Sequence, residues 1–359
     1  MPIPAKVRGR GAQSAAVPQR FGLAAREVDG DWLDARDGVD GPGPKLRTTV
    51  TEEKARSILS FNQSPDIPFD RSVNAYRGCE HGCIYCYARP SHAYHDLSPG
   101  LDFETRLFAK PDAAILLRKT LAKPGYRPAP IAMGTNTDPY QPIEERYRIT
   151  RQVLEVCLET RHPVTITTKS ARVVRDLDLL TELARLNLVA VGISVTSLDP
   201  KLSGLLEPRA SAPAKRLEAL GQLAAAGVPS HVGVAPVIPA ITDEFIESIL
   251  EEAGQRGVQT ASWIMLRLPH EVAPLFREWL SVHYPDRAAK VMSIVQSVRN
   301  GKDNDPGFFT RMKPLGTWAD LFRTRFRLAC KRHGLNRRQP VLDCAQFVGP
   351  EEAGQRRLL

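Results

Sequence analysis

The sequence is sparing with cysteine and has no long apolar run. Six cysteines are spread over 359 residues, too few to staple a disulfide scaffold. No stretch reaches the roughly 18 apolar residues that a membrane-spanning helix needs, so no membrane partner is expected. Residues 1–26 carry basic side chains but no apolar h-region, so no secretory signal is expected there. No repeat appears beyond an alternation of strand and helix patterns. These absences together set the expectation of a cytoplasmic protein in a reducing compartment.

What is present reads as an ordinary globular chain. Hydrophobic residues make up 42%, enough for a large core. The length suits one main domain with extensions. The net charge of +9 is compatible with a polyanionic partner such as nucleic acid. A solvated basic surface explains that charge equally well, because no groove-reading motif accompanies it.

The chain divides by composition into three parts. Residues 1–48 are rich in Gly, Pro, Arg and Ala and read as a flexible, loosely draped segment. Residues 49–269 hold short apolar, β-branched runs at 72–76, 130–135, 163–168, 188–195, 230–236 and 260–266. Helical patterns lie between them at 111–122, 144–161, 172–186, 213–226 and 243–256, with a shorter one at Glu52 to Leu59. Six such β-α units argue for an α/β fold with a parallel sheet and right-handed crossovers. Residues 270–359 turn helical, at 271–283, 286–300 and 314–333, and are expected to close one side of that sheet. The segment Leu342 to Phe347 is expected to cover the open mouth.

The densest chemistry lies in Asn74 to Pro90. Cys79, Cys83 and Cys86 are spaced C-x3-C-x2-C, with Gly78 and Gly82 directly before the first two. Glycine permits the tight turns that aim several thiolates at one point. Closed iron–sulfur clusters use four cysteines, so three thiolates suggest a cluster with one iron left open. A structural zinc is the alternative, with His81, His92 or His95 as the fourth ligand.

This spacing, with Tyr85 before the last cysteine, resembles the signature of the radical S-adenosylmethionine (radical SAM) superfamily. The resemblance implies a partial (β/α)6 barrel of TIM type. It also implies a [4Fe-4S] cluster on Cys79, Cys83 and Cys86, and S-adenosyl-L-methionine on the fourth iron with its adenine near Tyr85. Reductive cleavage to methionine and a 5′-deoxyadenosyl radical follows from it, with flavodoxin or ferredoxin as the kind of electron donor expected. The stretch Ser64 to Leu107 resembles one subgroup, the DNA-repair photolyase-like proteins grouped with spore photoproduct lyase. The likeness covers residues from about 50 to about 350. One departure counts against the lyase's thymine-dimer reversal: there is no cysteine between Cys86 and Cys157.

Active sites of such barrels sit at the C-terminal ends of the strands, and polar bursts fall there. Asn136 and Asp138 follow the second strand, where Asp138 before Pro139 reads equally as a turn device. Lys169 follows the third strand and resembles a lysine that holds the cofactor's carboxylate; a solvated lysine is the plainer reading. Ser194 and Thr196 end the fourth strand with hydroxyls free for ribose or carboxylate. Arg209 offers a bidentate fork for a carboxylate. Ser197 and Asp199 suit helix capping. Cys157 and Cys330 read as core residues. Cys344 in the C-terminal loop is the one candidate for hydrogen donation to a substrate radical, against the reading of a chance surface cysteine. The expected activity is hydrogen abstraction from an unidentified substrate, with nucleic acid first. A non-catalytic nucleic-acid-binding metalloprotein and a peptide-modifying radical enzyme stand beside it.

Overall fold

The computed structural model describes residues 9–15 and 46–350. Its strands are β1 (Thr49–Glu52), β2 (Leu59–Phe61), β3 (Arg71–Val73), β4 (Tyr76–Arg77), β5 (Arg106–Ala109), β6 (Ile131–Met133), β7 (Val164–Thr168), β8 (Val189–Ser194), β9 (Ser230–Val237) and β10 (Thr260–Met265). Seven of them form one sheet in the order β10-β9-β8-β7-β6-β3-β2. From β3 to β10 every neighbouring pair is parallel, and β2 runs antiparallel at the edge. Each parallel strand leads into a helical connection, which makes six β/α units and the expected partial barrel.

The reason lies in the strand composition. Val189, Val191, Ile193, Val164, Ile166, Val232, Val234 and Ile131 are all buried. Such strands can be covered on both faces only by helices. The covering helices present Leu180 and Leu183, Leu217 and Leu220, and Ile249 and Leu250 to the same core. The expected helix at 144–161 is divided. Glu144–Tyr147 and Ile149–Glu159 meet at Arg148, whose φ is +52°. The buried Glu144 carboxylate accepts from Thr150 N (3.1 Å) and from the Tyr76 hydroxyl across that break.

The helical pattern at Glu52 to Leu59 does not form a helix. Thr49, Val50 and Thr51 pair instead with Arg106, Leu107 and Phe108 in a small sheet ordered β1-β5-β4. Glu53 then donates its backbone N–H to Ala109 O and holds Arg77 at 2.7 Å and 2.9 Å. Partner strands at both ends of the stretch, for Glu52 on Ala109 and for Leu59 on Val73, outweigh a weak local helical preference.

Helices Val272–His283 and Pro285–Ser297 pack Phe276, Trp279, Val291 and Val295 against Leu266, Leu206 and Ile84, and so flank the cysteine loop. Helix Thr317–Arg332 sets Phe322 4.7 Å from Trp263 of β10, ring centroid to centroid. The C-terminal segment does not cover the mouth. Asp343 N bonds Asn187 O, Gln346 Nε2 bonds Leu186 O, and Phe347 rests on Tyr126 and His162. All of these lie at the N-terminal ends of the strands. The described part of the N-terminal segment is not loosely draped either. Arg10, Gly11, Ala12 and Gln13 are buried, while residues 1–8 and 16–45, and the Arg356-Arg357 tail, lie outside the described residues.

Candidate functional site

The loop from Gly78 to Cys86 lies over the C-terminal ends of the parallel strands, because the turns that follow those strands hold it. Gln141, past β6, receives Glu80 N at 2.9 Å and donates to Gly78 O. Past β8, Leu206 O receives Ile84 N and Arg209 N donates to His81 O. Cys79 N donates to Phe103 O at 2.9 Å. Gly78 and Gly82 both have positive φ, +72° and +65°. A Cβ on Gly82 would stand 2.6 Å from Glu104 Oε2, and one on Gly78 would stand 2.6 Å from Leu107 Cδ2. Both glycines are therefore required by turn and by space.

Cys79 and Cys83 are buried and Cys86 half-buried, all as free thiols. Burial pushes all three thiols up, and neighbouring negative charge adds to this for Cys79 and Cys83. Loading a metal group onto them expels protons. Among the described residues no three side chains of His, Cys, Asp or Glu converge tightly enough to hold one metal ion. A structural zinc needs four ligands about 2.0–2.3 Å from one point. His92 in particular faces Phe103 and contacts Arg106 O through Nε2.

The polar residues picked from the strand ends separate into two groups. Asp138 is an organiser. Its carboxylate accepts from Thr168 Oγ1 (2.6 Å), Tyr140 N (2.9 Å) and Lys169 N (2.7 Å), and His81 Nδ1 lies 3.3 Å away. Burial alone would raise its pKa; His81 and these donors hold it at about 2. Thr196 is likewise committed, donating to Glu207 (2.6 Å) and meeting Ala235 O at 3.1 Å. Ser194 is buried on β8, its carbonyl accepting from Arg216 at 3.0 Å. Arg209 pairs with Glu80 at 3.1 Å on the outer side of the cysteine loop. Asp199 caps helix Pro200–Leu206 through Lys201 N and Leu202 N.

Tyr85 and Lys169 form the second group. Tyr85 is buried with its hydroxyl on Glu207 and 3.4 Å from Thr196 Oγ1. The Lys169 ammonium stands over its ring, 5.7 Å from the centroid. Asn136, half-buried, donates its backbone N–H to Asn74 Oδ1 at 3.1 Å. Cys344 is far from all of these: it sits beside Asp343 at the N-terminal ends of the strands, at the opposite end of the barrel from the cysteine loop. Its candidacy as a hydrogen donor falls on position. Cys157 and Cys330 are buried in the core as expected.

Sequence reading missed the ionic frame beneath the loop. Glu207 and Arg216 form a fully buried pair under Tyr85. Burial would raise the Glu207 carboxyl, and the charges of Arg216 and Lys169 bring it down to about 2. Arg89 and Glu104 form a second buried pair. Arg89 donates to Cys83 O (2.9 Å), Gly82 O (3.2 Å), Pro99 O and Gly100 O. The signal for Arg89 was its place three residues past the last cysteine; Arg216 on a helix gave none.

A partial α/β barrel with its polar groups at the strand C-termini is a build that enzymes use. A family model described as the radical SAM superfamily matches residues 73–253, half of the chain, and the chain belongs to that family. Membership implies an iron–sulfur cluster and S-adenosylmethionine. Uncharacterised protein Rv2578c of Mycobacterium tuberculosis is 37% identical over 291 residues, covering 79% of this chain and 81% of that one. Uncharacterised protein MJ0683 of Methanocaldococcus jannaschii is 26% identical over 237 residues, covering 66% and 84%. Spore photoproduct lyase complexed with dinucleoside spore photoproduct superposes with a TM-score of 0.58 at 17% identity, over 83% of this chain and 86% of that one. A doubly substituted form of that lyase, with bound AdoMet and the dinucleoside, matches equally well. At this identity the likeness is one of fold.

Proposed function

We propose that the chain is a radical SAM enzyme in which Cys79, Cys83 and Cys86 hold a [4Fe-4S] cluster by three irons and leave the fourth open for S-adenosylmethionine. With both groups bound and an electron from a donor such as flavodoxin or ferredoxin, the cofactors supply methionine and a 5′-deoxyadenosyl radical that takes hydrogen from a substrate. One observation carries the reading: three thiols, two buried and one half-buried, sit on a single glycine-turned loop over the strand ends. The donor set suits a polynuclear group.

The chain's own residues would divide the work. Arg89 and Gln141 fix the backbone of the cysteine loop through its carbonyls and amides. Tyr85 would flank the adenine, and Lys169 above it would meet the carboxylate as a compact point charge. Asn136 and Ser194 are further candidates for that cofactor. Asp138, Thr196 and Arg209 already have protein partners, so their part would be to hold the loop and its neighbours in position.

Nucleic acid is the proposed substrate class. The net charge supports it, as does the surface beside the mouth. Tyr87 is exposed on the cysteine loop with its hydroxyl on Thr135 O. Arg267, two residues past β10, lies near Tyr87 and Arg311, and its Nε is buried without a hydrogen-bond partner. Phe308 and Phe309 are exposed, and the Arg311 guanidinium stands 5.0 Å over the Phe308 ring. Aromatic faces beside arginines are what bases and phosphates bind. The solved lyase relatives hold a dinucleoside, which points the same way. Return of hydrogen from a thiol past β6 is not part of the proposal, since Gly134 to Asp138 contains no cysteine.

The test is anaerobic reconstitution with iron and sulfide, then dithionite and S-adenosylmethionine. The expected result is 5′-deoxyadenosine above the no-protein background, raised by single-stranded oligonucleotide. A full cluster with no 5′-deoxyadenosine would remove the enzyme reading and leave the non-catalytic binding protein. Stimulation by peptide and none by oligonucleotide would replace the substrate class.

A further inference from the structure

Residues 9–15 come back to the cysteine loop from far away in sequence and bind its underside. Gly11 N and Ala12 N donate to the two oxygens of Glu104, at 3.0 Å and 2.8 Å. Arg10 donates to Glu104 O at 2.8 Å, to Leu46 O at 2.7 Å and to Thr48 Oγ1 at 3.1 Å. Thr48 passes this on to Glu80, the residue between Cys79 and His81 that also pairs with Arg209. Ser14 O receives Leu101 N, and Ser14 Oγ donates to Glu278 at 2.9 Å.

The contact is close as well as polar. A Cβ on Gly11 would lie 1.8 Å from Gly82 O and 3.2 Å from Ile84 N. No side chain fits at position 11 while the cysteine loop keeps its course. Ala12 is fully buried in the cluster that contains Cys83, Ile84 and Tyr85. Glu104, also fully buried, uses the oxygen that receives Ala12 N to bind Arg89 at 2.5 Å. Arg89 in turn holds Cys83 O and Gly82 O. A chain of direct contacts thus runs from the N-terminal segment through Glu104 and Arg89 to the carbonyl of a thiol residue.

From this we infer that Arg10 to Gln13 are a strap that forms one wall of the cluster cradle, fixing the course of Gly82 to Cys86 and shielding the cluster from solvent on that side. The inference rests on the cluster reading for its consequence but not for its geometry. Buried anions with all their acceptors filled are costly to strip. Withdrawing the strap exposes two Glu104 acceptors and opens the Gly82 carbonyl to water. Gly11, Arg10 and Ala12 are positioning residues in this scheme.

Two measurements test it. In the cluster-free chain, hydrogen exchange of the segment 79–89 is compared between the unaltered protein, Gly11→Val and a chain lacking residues 1–15. Exchange there should rise about tenfold or more, while the strand amides of β7 and β8 keep theirs. Exchange unchanged in the loop overturns the inference, and exchange raised everywhere overturns it too, as mere loss of fold. In the reconstituted protein, Gly11→Val should bleach in air about tenfold faster than the unaltered chain, since solvent access governs the cluster. A peptide of residues 5–20 added to the shortened chain should slow the bleaching, and the same peptide with valine at position 11 should not. Equal lifetimes in air, or no rescue by the peptide, count against the strap. An unaltered chain that takes up no cluster sinks the cluster reading, while the exchange comparison still decides the strap.

Discussion

Replacing Arg216 by methionine isolates the ionic frame under Tyr85. The guanidinium is about as buried as any in the molecule, pairs with Glu207, and donates to Ser194 O (3.0 Å) and Ser211 O (2.6 Å). Glu207 also takes the hydroxyls of Tyr85 and Thr196. Removing one partner of such a pair leaves a buried charge and costs about 3–5 kcal/mol. The carboxyl gives a second route to the size. Held at about 2 against an ordinary 4.5, it contributes about 3 kcal/mol at about 1.4 kcal/mol per pH unit. The sign is checkable. In the unaltered fold the depressed value makes this contribution full above pH 4.5 and lost as pH falls toward 2. In Arg216→Met the buried carboxyl moves above its ordinary value, so its penalty is largest at neutral pH and shrinks as acid protonates it. Urea unfolding of the cluster-free chain under reductant, at pH 7.5 and at pH 5, should therefore show a deficit of about 3–5 kcal/mol that narrows at the lower pH. Arg216→Met with Glu207→Gln should recover part of the loss, a coupling of about 1–3 kcal/mol. A deficit below about 1 kcal/mol, or one that widens in acid, would refute the frame as an energetic unit.

Other consequences follow from the same contacts. His162 is buried between Tyr126 and Phe347 with its pKa held down at about 4 by burial, so its share of stability is full above pH 6.5 and lost as pH falls toward 4. His162→Gln should flatten the acid limb of the unfolding curve over that window by about 3 kcal/mol. Lys169→Met should weaken S-adenosylmethionine binding about tenfold, about 1.4 kcal/mol, with iron content unchanged; equilibrium dialysis reads it, and loss of iron would contradict it. Cys344→Ser should leave both iron content and 5′-deoxyadenosine yield as they are, and a fall in either would return that residue to the site. Phe308→Ala with Phe309→Ala should weaken single-stranded oligonucleotide binding by about 1–3 kcal/mol per stacked base, read by fluorescence anisotropy.

Local chemistry was legible in the sequence and long-range pairing was not. The spacing of Cys79, Cys83 and Cys86 and the β-branched runs of β7, β8 and β9 declare themselves within a few residues. Glu52 to Leu59 misled because pairing of Glu52 with Ala109 depends on a strand more than fifty residues away. Leu342 to Phe347 misled because nothing in a polar loop says which end of a barrel it visits; Phe347 found Tyr126 and His162 at the far end. Residues 10–13 look like part of a Gly- and Arg-rich tail, and only the fold shows that Glu104 waits for their amides. Asp138 and Thr196 were found as polar strand-end residues, yet their oxygens are engaged by protein donors. Sequence marks such residues as near the site without saying to which partner each hydrogen bond goes.

The central claim is that the thiols of Cys79, Cys83 and Cys86 leave one iron corner free for a sulfonium ligand. Electron paramagnetic resonance of the dithionite-reduced protein, with S-adenosylmethionine carrying a labelled amino nitrogen, reads that corner directly. The account predicts a cluster signal that shifts when the compound is added and gains hyperfine coupling from the label. A cluster signal that ignores the compound, or one that persists after all three cysteines are changed to alanine, would contradict it.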